Sequence, residues 1–189
     1  AGAIAGLACD GDADRFGVVD RDGSFVEPNY ILALLLRHLL ATRGWPGDAG
    51  RSVATTHLID AVARRHGRDV HETPVGFKYL GELIAAGKLV LGGEESAGLS
   101  IRGHVPEKDG ILACLLVAEM LAAAGGRSLG ALLEDCYREV GPVRTRRVNV
   151  RLTPEAKARL NDVLARPPAE IAGRPVERVN RLDGVKLLL

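Results

Sequence analysis

Apolar and polar positions along the chain form short blocks that predict strands and helices in turn. Apolar runs of four to eight residues are typical of strands, and longer blocks with apolar residues three or four positions apart are typical of helices. Between residues 51 and 140 the two kinds of block alternate, which predicts a layered α/β domain. The predicted strands here are 52–56, 70–73 and 89–91, and the predicted helices are 58–66, 77–86, 110–124 and 129–140.

The region before this block predicts a small sheet and a helix. Residues 4–9 form an apolar run that predicts a short buried strand. Residues 16–20 and 24–27 flank Asp22-Gly23, a pair typical of hairpin turns. A helix is predicted for residues 30–43, and its apolar residues on all sides indicate that it is well buried.

The region after residue 142 has a different pattern. Val148, Val150 and Leu152 alternate with polar residues and predict a half-exposed strand. Thr153-Pro154 is typical of a helix start, and the helix is predicted to end near residue 165. Residues 176–182 and 185–189 flank Asp183-Gly184 and predict a further hairpin.

Composition narrows the class of protein. Of 189 residues, 47% are hydrophobic and 26% charged, which is typical of a globular domain, and the net charge of +1 gives no reason to expect a nucleic-acid or membrane partner. The apolar runs at 30–36 and 111–117 are too short to span a membrane. The three cysteines are scattered, so we expect reduced thiols and a cytoplasmic location. The chain starts without Met or a signal peptide, so we interpret it as a fragment.

Candidate chemistry begins with Asp10, Asp12 and Asp14, which follow the first predicted strand at alternate positions. Small residues between them would let the three carboxylates converge on a hard divalent cation such as Mg²⁺ or Ca²⁺, and Arg15 beside them suits a phosphate. An EF-hand is excluded, because its sixth and twelfth positions hold Arg15 and Arg21 in place of Gly and Glu. A solvated acidic loop, or a haloacid-dehalogenase motif with Asp10 as nucleophile and Asp12 as acid, stays open.

Three further polar stretches, at 74–78, 92–98 and 104–109, complete the candidate site. The first two are glycine-containing loops at predicted strand ends, where ligands bind in α/β sheets. Ser96 is not predicted to be a nucleophile, because Glu94 stands where the G-x-S-x-G motif needs glycine. Each stretch alone is weak evidence, since single lysines and histidines are more often structural.

Taken in order, the four stretches resemble the α-D-phosphohexomutase superfamily, the phosphoglucomutase and phosphomannomutase group. Residues 10–15 resemble its metal-binding loop, and residues 93–98 resemble its sugar-binding loop. Residues 73–78 and 107–110 resemble two further active-site segments. The resemblance extends over essentially the whole chain.

The resemblance implies a fold and a set of domain boundaries. The family has four domains around one cleft. Residues 1–27 would be the end of the second domain, 28–141 a complete α/β/α third domain, and 142–189 the start of the fourth. The family's phosphoserine loop and the phosphate-binding loop of its fourth domain would lie outside this chain, in the missing domains of the full-length protein.

The resemblance also implies a function, that of an isomerase. A phosphoserine would give its phosphoryl group to a glucose or mannose 1- or 6-phosphate, and a bisphosphorylated sugar would return its other phosphate. The implied Mg²⁺ ligands are Asp10, Asp12 and Asp14. The implied substrate-binding residues are Val75, Gly76, Lys78, Glu94 and Ser96, and the implied catalytic residues are Arg15, His104 and Lys108.

Two alternatives to a hexose-phosphate mutase stay open. One is a phosphatase of the haloacid-dehalogenase type, and the other is a non-catalytic module that binds a sugar phosphate or a metal. Because the phosphoryl donor would lie elsewhere, we expect this chain alone to fold but to lack mutase activity. As a loop carboxylate, Glu94 is expected to have few packing contacts, so that its replacement by glutamine would change stability little.

Overall fold

The computed structural model describes residues 2–189, which divide into a first unit ending at Thr145 and a second unit, Arg146–Leu189. The strands of the first unit are β1 (Ala5–Cys9), β2 (Phe16–Asp20), β3 (Phe25–Val26), β4 (Asp48–Ser52), β5 (Val70–Thr73), β6 (Leu89–Gly93) and β7 (Leu99–Ile101). Its helices are α1 (Pro28–Thr42), α2 (Leu58–Arg65), α3 (Phe77–Ala85), α4 (Gly110–Ala123) and α5 (Leu129–Val140).

The strands of the first unit form two sheets. β1, β2 and β3 are antiparallel neighbours in one sheet. The other sheet has the order β5-β4-β6-β7, in which β4 runs parallel to both β5 and β6, and β7 runs antiparallel to β6. The carboxyl ends of β4, β5 and β6 therefore meet at one edge, where α/β folds place their ligands. The predicted α/β fold is confirmed.

The core is built around α1, which is buried along most of its length as the sequence predicted. Seven of its residues are buried, and each fully buried leucine contributes about 1.5–3 kcal/mol relative to an exposed one. α1 contacts α2, α4, α5 and strand β6. The buried residues of α1 are Ile31, Leu32, Ala33, Leu34, Leu35, Leu36 and Leu39.

The predicted position of β4 was wrong, because the strand begins and ends earlier in the sequence than expected. The strand was predicted at 52–56, but it spans Asp48–Ser52, and the residues after it form a turn in which Thr55 N donates to Ser52 O. β4 lies between two strands and packs against α3, so the residue at position 50 must be small. A side chain at Gly50 would overlap Leu89 and Leu80. Packing against these neighbours overrides the higher strand propensity of Val53 and the threonines after it.

Two other expectations for the first unit need correction. β1 forms where a strand was predicted, but it is not buried: four of its five residues are exposed, because it lies at the edge of its sheet. The loop predicted from residue 92 to 108 contains strand β7, which pairs with β6. A tight turn at 94–98 allows this pairing, and the sequence pattern did not indicate it.

The second unit consists of helix α6 (Pro154–Ala165) and two hairpins, β8 (Glu170–Ile171) with β9 (Arg174–Pro175) and β10 (Arg178–Asn180) with β11 (Lys186–Leu188). The helix start was correctly predicted, and Thr153 Oγ1 accepts a hydrogen bond from Ala156 N. The hairpin around Asp183-Gly184 is also confirmed. The strand predicted from Val148 to Leu152 does not form, because in the described residues that segment has no pairing partner. The hairpin of β8 and β9 was not predicted.

Within residues 2–189, no helix is both long and apolar enough to cross a bilayer.

Candidate functional site

The acidic loop, residues 10–15, closes on itself after β1. Arg15 N donates to Asp10 Oδ1 at 3.1 Å, and Ala13 N donates to Asp10 O at 3.1 Å. Ala13 has a φ of 59°, a left-handed conformation that makes the turn tight. As a result, one carboxylate oxygen from each of Asp10, Asp12 and Asp14 lies within 4.8 Å of the others. The structure thus brings the three predicted metal ligands together.

The first turn of helix α4 is hydrogen-bonded to the acidic loop. Gly110, the first residue of α4, donates its N–H to Ala13 O at 2.9 Å. A side chain at Gly110 would overlap the carbonyl of Arg15, so the close approach of helix and loop requires glycine at this position. The loop is therefore anchored by contacts nearly a hundred residues away in sequence.

Lys108 makes the main electrostatic contact of the acidic loop. Its ammonium pairs with Asp14 Oδ2, which lowers the pKa of the Asp14 carboxyl and raises the pKa of Lys108. Arg15 Nε lies 3.6 Å from Asp14 Oδ1, too far for a hydrogen bond. Among the described residues, no donor satisfies this buried oxygen. A buried oxygen without a donor is unusual in proteins, and it suits a hard cation held by three carboxylates.

The glutamate loop, residues 93–98, follows β6 and is held more deeply in the fold. Glu94 is 4% exposed, and its Oε1 accepts a hydrogen bond from Gly76 N at 2.7 Å. The loop closes through Glu94 N to Gly98 O at 2.9 Å, with Ala97 at a φ of 71°. Glu94 thus ties the loop after β6 to the loop after β5. The expectation that it has few packing contacts was wrong.

Glu95 is fixed by two hydroxyl groups that sequence reasoning missed. Its Oε2 accepts hydrogen bonds from Ser52 Oγ at 3.1 Å and Thr55 Oγ1 at 3.3 Å, while Glu95 N donates to Thr55 Oγ1 at 3.0 Å. Ser52 and Thr55 lie at the carboxyl end of β4. The spacing of Ser52 and Thr55 could have indicated a polar turn, but residues 52–56 were predicted to form a strand.

The acidic loop and the glutamate loop meet residues 104–109. Phe16 N, just after the acidic loop, donates to Ala97 O at 3.4 Å. A Cβ placed on Gly98 would lie 3.0 Å from Lys108 Cδ and 3.5 Å from Phe77 Cδ2. Because Gly98 has no side chain, the Lys108 side chain can pack against the glutamate loop and reach Asp14. These contacts bring all four predicted stretches to one region.

His104 is positioned by Asp109. His104 Nε2 lies 2.8 Å from Asp109 Oδ2, while Asp109 Oδ1 caps α4 by accepting from Leu112 N at 2.9 Å. The Leu112 N–H is the main cause of the lowered pKa of Asp109, and His104 adds to it. His104 and Lys108 therefore stand on the same short loop, and Asp109 at the end of that loop serves as cap and as histidine partner.

The remaining predicted residues lie at the rim. Lys78 is exposed on the first turn of α3, with its ammonium 4.8 Å from the centre of the Tyr79 ring. Among the described residues no carboxylate forms an ion pair with Lys78, in contrast to Lys108. Val75 is 50% exposed, and Ser96 is half-buried at the turn of the glutamate loop.

A separate cavity of about 680 Å³ lies among the helices α1, α2, α4 and α5. None of its lining residues belongs to the four stretches of the candidate site. Its charged groups are already paired in part, since Arg37 binds Glu139 and Arg127 binds Asp135. We therefore place the candidate site at the sheet edge and not in this cavity.

Comparison with known proteins gives one family and several relatives. The family model for phosphoglucomutase/phosphomannomutase, alpha/beta/alpha domain III, matches residues 27–140, more than half of the chain. A phosphoglucomutase of Komagataeibacter xylinus is 38% identical over 180 residues, which cover 90% of this chain and 32% of the relative. Phosphoglucomutase 1 of Drosophila melanogaster is 40% identical over 125 residues, covering 64% of this chain and 22% of its own.

The solved structures that are similar to this chain carry phosphomannomutase and phosphoglucomutase names as well. A crystal structure from Thermus thermophilus, of a protein provisionally named a phosphomannomutase, has a TM-score of 0.78 and 37% identity, covering 96% of this chain and 37% of that one. The open form of parafusin, a phosphoglucomutase from Paramecium, has a TM-score of 0.67 and 34% identity, covering 74% of this chain and 25% of that one. The chain thus spans between about a fifth and two fifths of the length of these proteins.

Proposed function

Since the chain belongs to the phosphoglucomutase/phosphomannomutase family, as its four motifs predicted, we propose that it forms the metal-binding and sugar-binding sides of a hexose-phosphate mutase cleft. The observation that carries this proposal is the meeting of the acidic loop, the glutamate loop and residues 104–109 at one region. The activity is that of an isomerase, which transfers a phosphoryl group within a hexose phosphate by way of a phosphoserine and a bisphosphorylated sugar.

We assign the cation site to Asp10, Asp12 and Asp14, and the cation to Mg²⁺. The donor set supports this assignment, because carboxylate oxygens are the ligands that Mg²⁺ prefers and because Asp14 Oδ1 lacks a donor. When bound, the ion would neutralise negative charge on a transferring phosphoryl group. The convergence of one oxygen from each carboxylate supports a single shared ion.

Three basic side chains would act on the phosphate side of the substrate. Arg15 has 51% of its side chain exposed beside the acidic loop, and its planar guanidinium can donate two hydrogen bonds to a phosphate. Lys108 brings positive charge to the same point through Asp14. His104 Nε2 is paired with Asp109, which would leave Nδ1 as the nitrogen for a substrate phosphate or the reacting oxygen.

The glutamate loop would bind the sugar. Glu94 uses Oε1 for Gly76 N, which leaves Oε2 for a sugar hydroxyl, and Ser96 offers its hydroxyl nearby. Gly76 would contribute by orienting Glu94, since its N–H donates to Glu94 Oε1. The neighbouring residues Val75 and Lys78 would border the sugar and its second phosphate.

The substrate class is a hexose phosphate, with glucose or mannose 1- or 6-phosphate and their bisphosphate as candidates. The comparisons give no support to a phosphatase of the haloacid-dehalogenase type. The domain assignment that goes with the proposal is 1–27 for the end of the second domain, 28–141 for the third and 142–189 for the start of the fourth. The chain alone would then bind but not turn over its ligand, because the phosphoserine belongs to a domain outside these residues.

Binding and turnover test the proposal separately. Glucose 1,6-bisphosphate is titrated into the chain with Mg²⁺ while chemical shifts are followed, for the wild type and for Glu94→Gln. The variant should bind about ten- to a hundredfold more weakly, because one charge-assisted hydrogen bond is lost. Glu82→Gln, an exposed residue of α3, is the matched control. Equal binding by the wild type and the Glu94 variant would remove Glu94 from the sugar site.

A coupled assay with glucose 1-phosphate, Mg²⁺ and the bisphosphate measures turnover. We expect no mutase activity from the 189-residue chain. Activity above background that Asp12→Asn abolishes would show that a phosphoryl donor lies within these residues. Release of inorganic phosphate would instead favour a phosphatase.

A further inference from the structure

Two cysteines that are distant in sequence lie side by side next to the acidic loop. Cys9 is the last residue of β1, and Cys114 lies in the second turn of α4. Their Sγ atoms are 3.9 Å apart, although 105 residues separate them. A disulfide has an S–S length of about 2.05 Å, so the sulfur atoms need to approach by about 2 Å. Such a displacement is within the range of side-chain rotation.

The backbone on both sides of this pair is fixed by the fold. Cys9 pairs with Phe16 across the β1–β2 ladder. Gly110 N, one turn before Cys114, donates to Ala13 O at 2.9 Å. The strand and the helix therefore stay in contact, and the two thiols stay opposite each other.

The two thiols differ in their surroundings. Cys9 is exposed, whereas Cys114 is half-buried and its Sγ lies 3.6 Å from Ala8 O. Burial and the neighbouring Cys9 raise the pKa of the Cys114 thiol to about 11. Because Cys9 is the exposed thiol, an oxidant in solution meets it first, and Cys114, whose Sγ is 3.9 Å away, is placed to act as the resolving thiol.

We propose that Cys9 and Cys114 form a redox modification site at which a peroxide produces an intramolecular disulfide. In the first step the Cys9 sulfur attacks one peroxide oxygen, the O–O bond breaks, and Cys9 becomes a sulfenic acid with release of water. In the second step the Cys114 sulfur attacks the Cys9 sulfur and a second water leaves. Two thiols and one hydrogen peroxide thus give one disulfide and two waters, and an added dithiol reverses the reaction.

The site lies one residue from Asp10, so the disulfide would join the start of the acidic loop covalently to α4. Cys136 provides an internal reference. It is fully buried in α5, and burial raises the pKa of its thiol to about 11. It should react with peroxide much more slowly than the pair.

The test treats the reduced chain with hydrogen peroxide, then unfolds it, alkylates its free thiols and measures the intact mass. The wild type should lose two of its three alkylatable thiols and two hydrogen atoms, and a peptide map should show Cys9 joined to Cys114. Dithiothreitol should restore all three thiols. Cys136→Ser should form the same disulfide, whereas Cys9→Ser and Cys114→Ser should form none.

Several results would overturn the proposal. Three alkylated thiols after peroxide treatment would show that the pair does not react. Oxygen added to Cys9 while Cys114 stays alkylatable would show that the thiols do not meet. A disulfide that involves Cys136 or a second chain would contradict the assigned pair. Because Cys136→Ser leaves both reacting residues in place, the proposal stays testable even if a variant at Cys9 or Cys114 fails to fold.

Discussion

The acidic loop and the glutamate loop both follow a strand and both carry closely spaced carboxylates, but the fold treats them differently. In the acidic loop, Asp10 and Asp12 are exposed, and the only hydrogen bond to a carboxylate there from the rest of the described chain comes from Lys108. In the glutamate loop, Glu94 is buried against Gly76 N, and Glu95 is bound by hydroxyls at the end of β4.

Because of this difference, replacing a carboxylate should have different effects on ligand binding and on folding stability in the two loops. A carboxylate that the protein leaves without donors gains most from a cation, so its removal should affect binding and leave stability nearly unchanged. A buried carboxylate that satisfies backbone N–H groups is part of the fold, so its removal should lower stability as well. The five predictions below test this separation, with the largest effect first.

An ion-pair network is centred on β4, the strand that pairs with β6 next to the glutamate loop. Arg51, in β4, is 2% exposed and binds Asp60 Oδ2 at 2.5 Å and Glu72 Oε2 at 2.6 Å. Arg51→Met would remove the guanidinium that Asp60 and Glu72 share, and breaking a buried ion pair costs about 3 kcal/mol or more. We expect this loss in the free energy of unfolding, measured by Trp45 fluorescence in urea. Trp45 is the only tryptophan and packs against the core of the first unit.

Arg64→Met is the matched control for this substitution. Arg64 is an exposed residue of α2 that lies outside the ion-pair network, so its replacement should change stability by less than about 0.5 kcal/mol. Similar losses for the two arginine variants would mean that the network does not support β4.

The same network predicts a loss of stability in acid. Burial acts to raise the pKa of Asp60, but hydrogen bonds from Arg51 and His57 outweigh it and hold the pKa well below its usual range. Because the folded-state pKa is depressed, this contribution is present above the unfolded value of about 3.9 and is lost as pH falls below it. Urea unfolding of the wild type between about pH 5 and pH 3 should show the loss, and Arg51→Met should show a shallower one. Parallel curves would contradict this origin.

Glu94→Ala should destabilise the first unit by about 2 kcal/mol, because Gly76 N–H loses its buried acceptor. The measurement is again Trp45 fluorescence in urea. Glu82→Ala is the control, since Glu82 is exposed on α3. A loss below about 0.5 kcal/mol at Glu94 would show that water replaces the carboxylate and that the glutamate loop is held no more firmly than the acidic loop.

Asp12→Ala should have the opposite profile. Asp12 is exposed, so its replacement should hardly change the free energy of unfolding. The affinity for a divalent cation should fall by at least about tenfold. Losing a residue that only supports a metal ligand already costs about this much, and Asp12 would be a ligand itself. Titration with Mn²⁺ followed by electron paramagnetic resonance measures the affinity. Asp162→Ala, in the exposed helix α6, controls for net charge. Unchanged affinity for Asp12→Ala would show that the acidic loop is a solvated loop.

Local patterns were sufficient to predict most elements of the fold. β5 forms at the predicted residues, and α5 begins after Ser128, whose side chain accepts from Ala131 N as a helix cap does. β4 could not be placed from sequence, because Asp48–Ser52 becomes a strand through its pairing with β5 and β6, and the packing of Leu80 and Leu89 requires a glycine in it. Propensity is a weak guide where burial between neighbours decides.

The candidate residues of the site could be proposed from sequence, but their hydrogen-bond and ion-pair partners in the structure could not. Three aspartates at alternate positions predict convergence, and the structure has their oxygens within 4.8 Å. The pairing of Lys108 with Asp14 joins residues 94 positions apart, and no periodicity encodes it. The same holds for Glu95, whose hydroxyl partners are about 40 positions earlier in the chain. These contacts depend on how β4, β6 and α4 pack.

The smallest expected effect concerns Lys108, the residue outside the acidic loop that pairs with one of its carboxylates in the described part of the chain. Its ammonium binds Asp14 Oδ2, so it repels a cation held by the three carboxylates. Lys108→Met keeps the methylene groups that pack against Gly98 and removes the charge. By Coulomb's law a unit charge about 5 Å from a divalent ion in water contributes about 1.7 kcal/mol, and physiological salt roughly halves this, so Mn²⁺ should bind about threefold to fivefold more tightly. Lys78→Met, exposed beside Tyr79, should have little effect. Weaker binding by Lys108→Met would show that Lys108 orients Asp14, and the acidic loop would then depend on the fold as the glutamate loop does.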